Sequence, residues 1–214
     1  MKVIDLTHII TEDMPVYPGT EKPTLMTANT YEKDGFKETR LSMYSHTGTH
    51  VDPPAHIFPG RTTLDQFPAD QFLGKALVID CSELQEGDAI TMNHILKYGN
   101  KADEADFLLF YLGWDQYWGT EAYFGNYPCI DMEVLAYILA GDYKGIGFDV
   151  IGLDPIEDVE LTRHKMLFKD KDILNIENLK NLGLCGDELF SFGCFPLKTE
   201  DSDGAPIRAM AWFE

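Results

Sequence analysis

The chain has 214 residues, 44% of them hydrophobic and 25% charged, and its 36 acidic against 17 basic side chains leave a formal net charge of −19. That length and balance predict one globular domain over residues 1–214. The acid excess excludes nucleic acid, whose binding is dominated by Lys and Arg on phosphates, and an anionic membrane surface; no apolar run is long enough to span a bilayer.

The opening MKVIDLTHII lacks the basic start, apolar stretch and small-residue cleavage site of an export signal, which predicts a cytoplasmic protein. Strand-like runs cover residues 2–10, 24–31 and 36–45, with a proline-rich loop at 14–23. Residues 76–80 (ALVID) and 107–112 (FLLFYL) read as buried strands. A helix is predicted over 91–97 with Asp88 as its cap, and His94 on it is expected in solvent. A second helix, MEVLAYILA, starts at its cap Asp131 and stops at Gly141. Residues 145–150 form a strand, 159–169 a helix, and 173–176, 190–192 and 207–212 the closing strands. This order predicts a mixed α/β domain whose sheet is covered largely on one side.

The cysteines Cys81, Cys129, Cys185 and Cys194 form no C-x-x-C, so they read as free thiols in a reducing compartment, without a zinc knuckle. Neither a G-x-G-x-x-G nor a P-loop follows any strand, and no G-x-S-x-G occurs. Cys81 has no histidine beside it in sequence and makes a poor nucleophile candidate. His8 reads as a packed or edge histidine beside the site, and Trp114, Tyr117 and Trp118 as either pocket wall or core packing.

Three of the six histidines fall in HTGTHVDPPAH, residues 46–56. On an extended strand His46, His50 and Asp52 share one face. Imidazole and carboxylate suit first-row metals. His50 and Asp52 are roughly 7 Å apart along a strand and reach one ion; His46 and His50 are about 13 Å apart, which asks for a bend at Gly48 or for a second ion bridged by Asp52. The two prolines stiffen the chain before His56, read as an acid/base beside the metal or as a further ligand. The competing readings are a chance group of surface histidines and a structural metal site, which would prefer cysteines.

The pattern H-x-G-T-H-x-D-x-P-x-H resembles the signature of the metal-dependent hydrolases of the cyclase family, which includes kynurenine formamidase (arylformamidase) and isatin hydrolase. The likeness extends through DLTHIITEDMPVYPGT, DQYWGTEAYFGNYP, FDVIGLDP, RHKMLFKDKDILNIENLKNL and LKTEDSDGAPIRAMA. It implies a mixed α/β fold of the β/β/α, swivelling type, a homodimer or larger, and a small-molecule amide substrate, with tryptophan catabolism as the setting of the formamidases. It implies one or two divalent ions, Zn²⁺ or Mn²⁺, on His46, His50 and Asp52, with His164 and Glu177 completing the shell. It makes His56 the catalytic acid/base and Tyr17 a substrate contact. Two positions depart from the pattern: Tyr17 stands where the formamidases carry tryptophan, and Gly152 where D-x-x-S-x-D has serine. An isatin-like or other cyclic-amide hydrolase, and a non-catalytic metal-binding or ligand-sensing protein, are the alternatives.

Overall fold

The computed structural model describes residues 1–213. Its strands are β1 (Lys2–Asp5), β2 (Thr24–Asn29), β3 (Glu38–Ser42), β4 (His50–Asp52), β5 (Leu73–Asp80), β6 (Ala89–Ile90), β7 (Phe107–Tyr111), β8 (Cys129–Ile130), β9 (Gly145–Phe148), β10 (Leu174–Glu177), β11 (Phe190–Pro196) and β12 (Ala205–Phe213). The helices are α1 (Tyr31–Asp34), α2 (Met92–Leu96), α3 (Asn100–Glu104), α4 (Met132–Ala140) and α5 (Thr162–Phe168).

Side-chain alternation along the central strands explains the architecture. In β5, Leu77 and Ile79 pack into one core while Ala76 and Val78 pack into another. In β7, Leu108 and Phe110 join the first core, and Phe107 and Leu109 the second. Strands apolar on both faces need cover on both. The eight-stranded sheet supplies it by closing: its order is β1-β12-β11-β5-β7-β9-β10-β4, and β4 pairs back onto β12. The inside of this barrel holds Val51, Phe107, Leu174, Ile176, Phe192 and Ala209. The outside of β5, β7 and β9 is covered by Ile95 of α2, Val134, Leu135 and Ile138 of α4, and Leu167 and Phe168 of α5. The expectation of a sheet covered on one side is thereby corrected.

The barrel interior dictates one glycine directly. Ile146 and Phe148 of β9 face the helices, so Gly147 faces inward, where a Cβ would lie 2.8 Å from both Leu109 Cδ2 and Leu179 Cδ1. Gly147→Val is expected to destabilise the fold by about 1–3 kcal/mol through overpacking. A urea titration checks it, with the midpoint falling at unchanged slope.

Helix ends follow the sequence at α4, where the Asp131 side chain accepts from Val134 N and Gly141 ends the helix. At α2 the expectation fails. Thr91, not Asp88, is the cap, and His94 folds back so that its Nδ1 accepts from Thr91 N at 3.0 Å. His94 is therefore buried, not solvated. Asp88 instead accepts from Gln85 N within the preceding turn.

Candidate metal centre

β4 and β10 run antiparallel with Asp52 opposite Asn175 and His50 opposite Glu177. Val51 and Ile176 point into the barrel core, so His50, Asp52, Asn175 and Glu177 share the other face. His46 reaches them by a route that differs from the expected extended strand. β3 ends at Ser42 and β4 starts at His50; between them Gly48 adopts a left-handed φ of 66°. Gly48 O accepts from Asn178 Nδ2 and from His50 Nδ1, at 2.9 and 2.8 Å, which fixes the turn. The turn brings the His46 and His50 ring centroids to 5.2 Å. Gly204 makes room for His46, since a Cβ there would collide with its ring.

Two donor sets meet at Asp52. His46 Nδ1 and His50 Nε2 lie 2.7 and 3.3 Å from Oδ1. On the other side, His164 Nε2 lies 3.8 Å from Asp52 Oδ2 and 3.2 Å from Glu177 Oε1. His164 comes from α5, whose first turn is held by Asp154: Arg163 N donates to its Oδ1, and His164 N and Nδ1 to its Oδ2. Asp154 and Gly48 O thus each fix one ring nitrogen as donor and leave His164 Nε2 and His50 Nε2 facing the carboxylates. His56 closes the prolyl turn Pro54–His56, with its ring centroid 4.0 Å from His46 and 5.9 Å from His164.

The residues fit a divalent cation by the chemistry of their donors. Asp52 and Glu177 are two buried carboxylates side by side, faced by imidazoles from three segments. Burial opposes charge on His46, yet Asp52 and Asp203 overcome it and raise its pKa to about 10. His50 is raised against burial by Asp52 and Glu177. Burial alone would raise Asp52 and Glu177, but the imidazoles hold Asp52 well below the ordinary carboxylate range and Glu177 at about 2. A positive charge is therefore favoured here, and ion binding would release protons. His56 is the exception. Burial, with help from the His46 and His164 charges, outweighs Asp52 and lowers it to about 4, so it is neutral near pH 7 with a lone pair free.

Three site neighbours escaped the sequence reading. Asn175 lies between the carboxylates; its signal was alternation on a strand, two residues before Glu177. Asp154 was seen only as part of a motif, not as the partner of His164. Asp203 Oδ2 lies 3.4 Å from His46 Nε2, and only the closure of the barrel by β12 brings it there. Tyr17 is 40% exposed, with its phenol raised by burial and by the Glu177 and Asp154 charges, which sets it at the rim of the site. A Cβ on Gly152 would lie 3.2 Å from Tyr127 Oη and 3.9 Å from Glu177 Oε1, so a serine here would crowd the Tyr127 hydroxyl. Asp149 stays outside the site and accepts from Leu112 N and Trp114 N. Trp114 belongs to the core, with Nε1 donating to Tyr123 O. Cys81 is fully buried with its thiol pushed up by burial, which leaves no thiolate for attack.

His8 is buried near this site and stacks on Trp118, with centroids 3.9 Å apart and planes at 10°. Burial, aided by the Lys180 charge, lowers its pKa from 6.5 to about 4. As pH falls the unfolded chain protonates first, so this contribution is complete above pH 6.5 and lost as pH falls through 4. His8→Phe is expected to remove about 2–3 kcal/mol of the acid-induced loss between pH 7 and 4. Urea melts of both chains at the two pH values measure it.

A closed barrel with helices outside and a buried histidine–carboxylate cluster on its β4–β10 face defines a protein able to hold a metal. The chain belongs to the Cyclase family, whose model, described as "Putative cyclase", matches residues 4–155. An uncharacterized protein of Methanocaldococcus jannaschii is 31% identical over 212 residues, 99% of each chain. A kynurenine formamidase of Bacillus thuringiensis is 28% identical over 211 residues, 97% of this chain and 95% of that one. The solved structure of isatin hydrolase A from Labrenzia aggregata superposes with a TM-score of 0.86 over 98% of this chain and 93% of that one; at 24% identity the likeness shows the fold.

Proposed function

We propose that the chain is a metal-dependent hydrolase of amide C–N bonds other than peptide bonds, with an arylformamide such as N-formylkynurenine as first substrate. The observation that carries this is the placement of His56, its ring centroid 4.0 Å from that of His46, beside the donors that converge on Asp52. His46, His50 and Asp52 would hold Zn²⁺ or Mn²⁺, with Glu177 and His164 as the remaining candidate ligands. Such an ion, when bound, supplies Lewis-acid polarisation of the carbonyl and a more acidic water near neutral pH. His56 takes the proton from the attacking water and returns it to the departing nitrogen. Asp154 holds His164 in place, and Tyr17 at the rim contacts the substrate's aromatic part.

The deciding experiment is the rate of N-formylkynurenine hydrolysis by metal-loaded, chelated and reloaded protein. Turnover lost on chelation and restored by Zn²⁺ or Mn²⁺ supports the reading. A loaded protein without turnover removes that substrate. The exposed Tyr17, in place of tryptophan, favours a cyclic amide such as isatin as the second substrate to test. Metal binding without hydrolysis of either would favour a ligand-sensing protein.

We also infer a homodimer. The β2–β3 hairpin pairs with no other strand among the described residues, and the face that carries the cross-strand pair Leu25–Leu41 leaves Leu41 exposed. A two-stranded hairpin is marginal in water unless its face is covered. Light scattering is expected to give twice the chain mass, and Leu25→Asp with Leu41→Asp the single mass. The described residues include no helix long and apolar enough to cross a membrane. The four buried, free cysteines are in keeping with a reducing compartment, and we place the chain in the cytoplasm.

A further inference from the structure

The inward rows of β5 and β7 change character at their carboxyl ends. In β5 the row runs Ala76, Val78, Asp80, and in β7 it runs Phe107, Leu109, Tyr111. Asp80 and Tyr111 are partners in the parallel ladder, so the apolar core ends there in a carboxylate and a phenol. Beside them opens a cavity of about 550 Å³, which falls within the range of small-molecule sites. None of the residues that line it is a donor of the metal centre. Crevices at the carboxyl ends of parallel strands are where α/β sheets hold ligands.

The lining offers both signs of charge beside apolar surface. Lys97, which follows α2, and Lys101 of α3 both line the cavity. Their Nζ atoms pair with Glu83 Oε1 at 2.9 Å and with Glu188 Oε1 at 2.6 Å. Both glutamates are exposed, and exposed pairs contribute little, so a ligand carboxylate can take over either ammonium at small cost. Tyr98 Oη accepts from Asp80 N at 2.9 Å, which leaves its O–H to donate. The Tyr111 hydroxyl meets no hydrogen-bonding group among the described residues, and burial, with the Asp115, Asp149 and Asp80 charges, keeps it protonated. Asp80 holds Ser82 N and Oγ through Oδ1 and keeps Oδ2 for a cation. Gly183 shapes the apolar wall. A Cβ there would lie 2.8 Å from Tyr111 Cζ and Oη, so glycine lets the ring lie against the turn Leu182–Leu184.

We propose that this cavity is a second ligand site and that it takes an aromatic α-amino acid. The ligand's carboxylate meets Lys97 or Lys101 and the phenol hydroxyls, its ammonium meets Asp80, and its ring packs on Leu182 and Tyr111. A ligand of one charge alone would leave either the ammoniums or Asp80 without a partner. The site goes beyond the hydrolase reading and does not depend on it.

The test is a calorimetric titration of the whole chain with L-phenylalanine and L-tryptophan, in the Zn²⁺-loaded and the chelated form. One ligand per chain is expected, with the same affinity in both forms. Lys101→Glu and Asp80→Asn are each expected to weaken binding about tenfold or more, since each removes a hydrogen bond to a charged group. Phenylpropionate, which lacks the ammonium, and phenethylamine, which lacks the carboxylate, are expected to show the same loss on the native chain. Circular dichroism verifies that both variants fold. Failure of both amino acids to bind would overturn the proposal. Binding that needs Zn²⁺, or that neither substitution weakens, would put the ligand elsewhere and overturn it too. An analogue that binds as tightly as L-phenylalanine would overturn the amino-acid class.

Discussion

His56→Ala is expected to lower kcat/KM by about 10²–10⁴-fold while the protein keeps its full metal content. The size follows from the loss of a positioned proton carrier. The retention of metal follows from where the ring sits. His46, His50 and Asp52 converge without it, and no carboxylate of β4 or β10 depends on it. In the metal-free chain its pKa is lowered by burial, aided by the charges on His46 and His164, which together outweigh Asp52. The prolyl turn that carries it should survive the change, because its backbone bonds run from His56 N to Pro53 O and from Ile57 N to Pro54 O. Added imidazole should restore part of the rate. An alanine variant with more than a tenth of native activity would remove His56 from the chemistry. A variant that loses its ion would make His56 a ligand instead.

What the sequence made legible was whatever a short window contains. The apolar runs at β5, β7 and β9 and the cap and stop of α4 were of this kind. Closure of the barrel was not, because it depends on Ala205 and Pro206 pairing with Val51 and His50, and a strand three residues long has no period to read. The cluster at residues 46–56 was visible as composition, but the bend at Gly48 was only one of two solutions until its φ was known. His164 and Glu177 stood out only through resemblance, since their spacing to β4 is set by the sheet order. His94 was misplaced because a polar residue on a helix surface reads as solvated, whereas this one folds back onto Thr91. Asn175 carries only its strand alternation with Glu177 as a local signal, and Asp203 carries none; the first is defined by two carboxylates it bonds, the second by a ring across the barrel seam.

Asp52→Ala should have the widest effect, because one carboxylate serves both donor sets. Altering a partner outside a metal's ligands typically costs 10–100-fold in affinity, so removal of a ligand is expected to cost more than about 100-fold. The variant should therefore lose its ion on dialysis and its turnover with it. The metal-free fold should also weaken. His50 is a buried and His46 a partly buried imidazole, and both are held in their charged form largely by this carboxylate. Removing one partner of such a pair costs about 3–5 kcal/mol while the other keeps its charge. The pH dependence has a definite sign. The His46 value is raised from 6.5 to about 10 in the folded chain, so the pair's contribution is complete below pH 6.5 and is lost as pH rises through 10. The stability gap between the metal-free native chain and Asp52→Ala should accordingly be widest just below pH 6.5 and close toward pH 10. Nuclear magnetic resonance of the His46 ring gives an independent reading, with its titration moving down from about 10 in the variant. An Asp52→Ala chain that keeps its ion, and whose His46 titrates unchanged, would shift the anchoring charge to Asp203 and detach Asp52 from the metal.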